Sequence, residues 1–134
     1  IAPLGSVYQA GTLSGNPCAV AAGIATLKQI ESTPDIYEAL DKKSAVLEEA
    51  MKSAGLNVNR CGSLMTAFFN SKKVVSYDES RACDTEKYAE YYRHLLRNGI
   101  YAAPSQFEAM FVSYAHTAED IERTAEIIKA FNGE

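Results

Sequence analysis

The sequence predicts an α+β fold: a small, mainly antiparallel sheet covered by helices. Its helical and strand-like stretches follow the order α, α, β, β, α, β, β, α, which lacks the regular βαβ alternation of a doubly wound sheet. Its length of 134 residues, 47% of them hydrophobic, is enough chain for one compact core. No apolar run is long enough to span a membrane, and the opening residues IAPLGSVYQAG lack a basic region followed by an apolar stretch.

The elements can be justified in order. Asn16 and Pro17 form a helix start, with asparagine as N-cap acceptor and proline at the first helical position, where a missing N–H costs nothing. The helix should run to about Glu31, with Ala19, Ala21, Ala22, Gly23 and Ala25 on almost every face and Val20, Ile24, Leu27 and Ile30 as the larger apolar groups. Small residues all round imply close neighbours all round, so this helix is expected to pack on something outside the chain. Thr33 and Pro34 repeat the cap-plus-proline signal. Ile36, Leu40, Leu47, Met51 and Ala54 then recur at helical spacing until Gly55, with Lys42, Lys43, Glu48 and Glu49 on the wet side.

After Gly55 the period becomes two, with Leu56 and Val58 alternating against Asn57 and Asn59. Gly62 and Ser63 then turn the chain into the buried strand LMTAFF. Asn70 to Asp84 is polar without a clear period and reads as a surface connection. Tyr88, Tyr91, Tyr92, Leu95 and Leu96 give a helix over Thr85 to Asn98, stopped by Gly99. IYAAP then reads as a short strand, Ser105 to Ala109 as a loop, and Met110 to Ala115 as another strand. Thr117 with Asp120 resembles a capping box for a last helix whose apolar face is Ile121, Ala125, Ile128 and Phe131. No internal repeat or low-complexity segment is present.

Charge and composition narrow the function classes. Net charge is −4 and the 13 basic residues are scattered, so neither nucleic acid nor an anionic membrane surface is indicated as a partner. Cys18, Cys61 and Cys83 are odd in number and form no CxxC pair, which argues against a disulfide framework or a zinc site and fits a reducing cytoplasm. Cys61 lacks a helix start or nearby histidine that would activate it, and reads as a small buried residue. His94 and His116 have no second ligand at metal spacing and read as structural, so no metal is expected. The tyrosines at 88, 91 and 92 could stack on bases, but their helical spacing makes them core or interface residues.

Two stretches carry chemistry. In GTLSGNP, Gly11 to Pro17, glycines let backbone N–H groups approach an anion while Thr12 and Ser14 add hydroxyl donors beside a helix start; the alternative is a plain loop with an N-cap. In PSQFEA, Pro104 to Ala109, the bland reading of Glu108 is a solvated loop carboxylate. Phe107, Ala109, Met110 and Phe111 weaken it, because among apolar groups a carboxylate is desolvated unless it meets a cation.

VYQAGTLSGNP followed by AAG, GSL with FF, and YAAPSQFEAMFVSYAHTAEDI together closely resemble the C-terminal part of the glutamate-1-semialdehyde aminomutase family, fold-type-I pyridoxal-phosphate enzymes of the class III aminotransferase group. The resemblance covers essentially the whole chain. Its departures are mild: Cys18-Ala19-Val20 before AAG, Thr66-Ala67 before the paired phenylalanines, and Tyr114 before Ala115-His116.

The resemblance implies a pyridoxal 5′-phosphate or pyridoxamine 5′-phosphate cofactor and a homodimer with a shared active site. Gly11 and Thr12 match the Gly-Thr that reaches across the dimer to the phosphate bound mainly by the other subunit. Glu108 matches the family's substrate-site glutamate, standing where related aminotransferases place an arginine. Residues 1–32 would then be the cofactor-phosphate loop and domain-connecting helix, and 33–134 the small C-terminal domain. The family's Schiff-base lysine lies upstream of the matched region and none of the lysines from Lys28 to Lys129 matches it. The implied activity is isomerisation of glutamate 1-semialdehyde to 5-aminolevulinate, the tetrapyrrole precursor, with the chain inactive by itself. The absence of an initiator methionine fits a piece of a longer protein. The alternatives are another class III aminotransferase acting on ω-amino groups, or a non-catalytic α+β binding module.

Overall fold

The computed structural model describes residues 1–70 and 72–131. Contacts divide the chain into two compact units, Ile1–Pro34 and Asp35 onward.

The first unit holds helix α1, Pro17–Glu31. Asn16 caps it as expected: its Oδ1 accepts from the Cys18 and Ala19 N–H groups at 3.1 Å each. All its residues are exposed except the half-buried Ile30, and the large apolar side chains Val20, Ile24 and Leu27 are among the exposed ones.

The second unit opens with α2, Ile36–Ser53. It starts two residues later than the Thr33–Pro34 signal predicts. The Thr33 hydroxyl accepts from Gln29 Nε2 at 3.4 Å instead of capping, Pro34 lies in a turn, and the first helical bond runs from Ala39 N–H to the Asp35 carbonyl. Gly55, with φ of 81°, closes the helix. Its N–H reaches the Lys52 carbonyl and that of Leu56 reaches Met51, the paired Schellman bonds that only a residue tolerating positive φ can set up cheaply.

Strands β1, Asn57–Cys61, and β2, Leu64–Phe68, pair antiparallel with Asn59 opposite Thr66, and β2 pairs antiparallel with β3, Met110–Phe111. The sheet order is β1-β2-β3. Met65 and Ala67 on β2 and the adjacent Leu56 enter the core. On β1, Asn57 and Asn59 instead donate through their amides to the carbonyls of Lys72 and Val74.

Those bonds help order the segment read as a featureless connection. Within it Tyr77–Arg81 forms the short helix α3, capped by Ser76, and Val74 and Cys83 join Phe68 in a small second apolar cluster. Ser71 of that segment lies outside the described residues. Helices α4, Thr85–Arg97, and α5, Ala118–Lys129, complete the fold. Asp84 caps α4, and Gly99 ends it with the same Schellman pair seen at Gly55. The Thr117–Asp120 capping box is present in full.

The core collects Leu47, Ala50 and Met51 of α2, Tyr88, Tyr91 and Leu95 of α4, Ile121, Ala125 and Ile128 of α5, and Phe131. Each fully buried leucine or isoleucine contributes roughly 1.5–3 kcal/mol of transfer free energy. His94 is structural, its Nε2 2.8 Å from the Ile127 carbonyl oxygen. Cys61 corrects its expectation: the last residue of edge strand β1, it is exposed, and Cys83 is the buried thiol.

Two strand expectations also change. IYAAP forms no ladder, and the Ala103 carbonyl accepts from the Tyr88 hydroxyl instead. The strand expected over Met110 to Ala115 stops at Phe111. Ser113 N–H donates to His116 Nδ1 and His116 N–H to the Ser113 carbonyl, folding those residues into a turn.

Candidate functional site

In the first unit, Gly11 and Thr12 lie in an exposed loop built from consecutive turns. Ser14 N–H donates to the Gly11 carbonyl and Asn16 N–H to that of Leu13, both at 3.1 Å, and Gly15 takes φ of 74°. A Cβ at position 11 would sit 2.5 Å from Ser14 Oγ, so a side chain there must displace that hydroxyl. Among the described residues the N–H groups of Gly11, Thr12 and Leu13 and the Thr12 hydroxyl donate to no protein acceptor. The helix start itself is not open to an anion, because Asn16 already takes the Cys18 and Ala19 N–H groups. The donor set that remains is a short run of backbone N–H groups plus one hydroxyl, which fits one edge of a phosphate group.

In the second unit, Glu108 lies on the loop between α4 and β3. Ser105 organises it: its carbonyl accepts from Glu108 N–H at 3.1 Å and its Oγ from Phe107 N–H at 3.2 Å. Gln106 turns inward, 2% exposed, with Nε2 3.4 Å from the Ser80 carbonyl oxygen of α3. Glu108 itself is exposed, as are Phe107, Ala109 and Phe111, so the desolvation expected from its apolar neighbours does not occur. Among the described residues it has no ion-pair partner. Its charge nonetheless reaches the Tyr88 phenol, which burial first and Glu108 second push up to about 12.

Glu108 borders a cavity of about 500 Å³. Leu47, Met51, Met65 and Val112 form its apolar wall, and His116 and Asp120 add polar groups. Asp120 is held below the usual carboxylate range by the Thr117 backbone and hydroxyl donors of the capping box. The turn beside it is tied down by Lys43, whose Nζ donates to the carbonyls of His116 at 2.5 Å and Tyr114 at 3.1 Å. Neither Lys43 nor Tyr88 stands out in the sequence as a loop anchor. One reads as a surface charge and the other as helical core, and their contacts span 73 and 15 residues, beyond any local pattern.

Solved structures similar to this chain include transaminases. A β-phenylalanine aminotransferase from Variovorax paradoxus aligns with a TM-score of 0.77 at 27% identity, over 97% of this chain and 31% of that one. A transaminase solved with PLP bound aligns with a TM-score of 0.70 at 25% identity, over 92% of this chain and 28% of that one. The chain therefore has the fold of part of a pyridoxal-phosphate-dependent transaminase. No family model matches it.

Among curated sequences, glutamate-1-semialdehyde 2,1-aminomutases match at close range. That of Ruminiclostridium cellulolyticum is 50% identical over 130 residues, 92% of this chain and 30% of the relative. That of Desulforamulus reducens is 52% identical over 138 residues, 98% of this chain and 31% of the relative. The chain matches these glutamate-1-semialdehyde 2,1-aminomutases along nearly its whole length and spans about 30% of theirs.

Proposed function

We propose that this chain is the C-terminal part of a cytoplasmic, homodimeric, pyridoxal-phosphate-dependent aminomutase that converts glutamate 1-semialdehyde to 5-aminolevulinate for tetrapyrrole synthesis. The observation that carries this reading is the high identity to glutamate-1-semialdehyde 2,1-aminomutases along nearly all of the chain. In this reading residues 1–32 are the phosphate loop and connecting helix, and 33–134 the small domain. The free N–H groups and hydroxyl of Gly11 and Thr12 donate to the phosphate of the cofactor held mainly by the other subunit. The cofactor, when bound, supplies the electron sink. The lysine that anchors it belongs to a part of the protein beyond this chain, so the chain alone is inactive.

Glu108 is the group that reads the substrate. Glutamate 1-semialdehyde carries an aldehyde at the reacting end, and diaminovalerate, formed on the way, carries two amines there. A carboxylate suits ammonium groups where a guanidinium would repel them. An exposed carboxylate bordering a largely apolar cavity is available for that contact, since no side chain of the described residues neutralises it.

The second reading, a class III aminotransferase acting on ω-amino groups, draws on the likeness to transaminase structures. Glu108, in place of an arginine that would grip a carboxylate, speaks against it. Kinetics of Glu108→Gln and Glu108→Arg in the full-length dimer test the choice. Glu108→Gln should weaken diaminovalerate binding far more than pyridoxal phosphate binding, and Glu108→Arg should lower aminomutase turnover further and favour substrates with a carboxylate at that position. Wild-type kcat/KM with glutamate 1-semialdehyde in both variants would falsify the assignment of Glu108.

A further inference from the structure

Among the described residues the carboxylate of Glu108 has no hydrogen-bond or ion-pair partner, so the backbone beneath it sets its position. The turn that carries it is closed internally by Ser105, through the Glu108 and Phe107 N–H groups. Closure of that kind fixes the shape of the turn but not its attachment to the domain. Two buried side chains make the attachment. Gln106 reaches α3 through the Ser80 carbonyl at 3.4 Å, and on the preceding residues the Tyr88 hydroxyl donates to the Ala103 carbonyl at 2.7 Å. The second bond is the shorter, and it comes from a residue 4% exposed in the middle of the core, on a helix closed at both ends by its caps.

We propose that Tyr88 is a positioning residue for Glu108: its buried hydroxyl, acting through the Ala103 carbonyl, fixes the turn that presents the carboxylate. The proposal rests on the reading of Glu108 as the group that meets the cationic end of the substrate. A phenylalanine at 88 would fill the same core volume against Tyr91, whose ring lies edge-on at 6.1 Å, so the hydroxyl is what packing alone does not require. The phenol is a donor at neutral pH, as any tyrosine is, and burial first and Glu108 second push it further up, to about 12. Its neighbour supplies the contrast: the Tyr91 hydroxyl is buried too, but bonds no partner among the described residues.

The test uses the full-length holoenzyme with Tyr88→Phe, Glu108→Gln, the double variant and Tyr91→Phe. Hydrogen exchange at the Glu108 amide and KM for glutamate 1-semialdehyde should each rise about three- to tenfold in Tyr88→Phe, the range of one neutral hydrogen bond. Cofactor retention should stay unchanged, and Tyr91→Phe should leave the exchange of the loop as it was. The double variant should be no worse than Glu108→Gln alone, because the hydroxyl acts through the carboxylate. Additive losses in the double variant would mean a merely structural tyrosine and overturn the proposal. Unchanged exchange and KM in Tyr88→Phe beside an impaired Glu108→Gln would do the same. A Glu108→Gln enzyme with wild-type KM would overturn the Glu108 reading first and the proposal with it, and the exchange rates tell that case from the others.

Discussion

Lys43 donates from its ammonium to the carbonyl of His116, 2.5 Å away and 73 residues further along the chain, while its Nζ also lies 5.2 Å from the centre of the Tyr114 ring. One side chain of α2 thus closes the turn between β3 and α5.

Lys43→Met should keep the packing of the aliphatic stem and lose both carbonyl contacts, lowering unfolding free energy by about 1–2 kcal/mol. The comparison is Lys42→Met, one residue away, whose ammonium pairs with the exposed Glu38 and should matter less than Lys43, because solvent screens a fully exposed pair. Urea denaturation of the two variants side by side reads the difference. Equal stabilities would show that the Lys43 contacts contribute no more than a surface pair.

Glu48 gives a pH dependence. Lys52, first, and Arg60 hold its carboxyl below the ordinary 4.5, with Arg60 Nε 2.5 Å from one carboxylate oxygen and Lys52 Nζ 2.7 Å from the other. A carboxyl lowered in the folded state contributes stability that is present above its unfolded value and lost as pH falls through the folded one. Stability should therefore decline below about pH 4.5, and Glu48→Gln should make that part of the curve flatter. The contribution at neutral pH should be about 1 kcal/mol or less, because the pair is partly exposed. Denaturation midpoints measured across this range, in low and high salt, check both the slope and its screening.

For Thr12, loss of the hydroxyl in Thr12→Val should cut cofactor affinity of the full-length dimer by about 1.5–3 kcal/mol, the range for a hydrogen bond to a charged group. Equilibrium dialysis of pyridoxal phosphate measures it. Unchanged affinity would leave the backbone N–H groups of the loop as the whole contact.

The four long helices were legible in the sequence because most of their signals are local, whereas the short α3 and the start of α2 were not. Asn16 with Pro17, Gly55, Gly99 and the Thr117–Asp120 pair each act within a few residues, and each does in the structure what its chemistry predicts. The strand expected at IYAAP failed for the opposite reason: whether apolar residues form a ladder depends on what lies beside them, and here a tyrosine hydroxyl reaches the carbonyl first. Cys61 misled in the same way, since a small residue beside a turn is buried only if the sheet continues past its edge. Glu108 was visible as a candidate through its apolar neighbours, yet those neighbours are themselves exposed. The sequence displays composition along the chain and not the direction in which a loop faces.

The two exposed thiols fall one in each compact unit, Cys18 at the start of α1 and Cys61 at the end of β1, while Cys83 is buried. The native chain thus comes supplied with a pair of attachment points for identical spin labels, and a third cysteine protected from the reagent by its burial. A pulsed dipolar measurement on this unmutated chain would read the distance between the units directly.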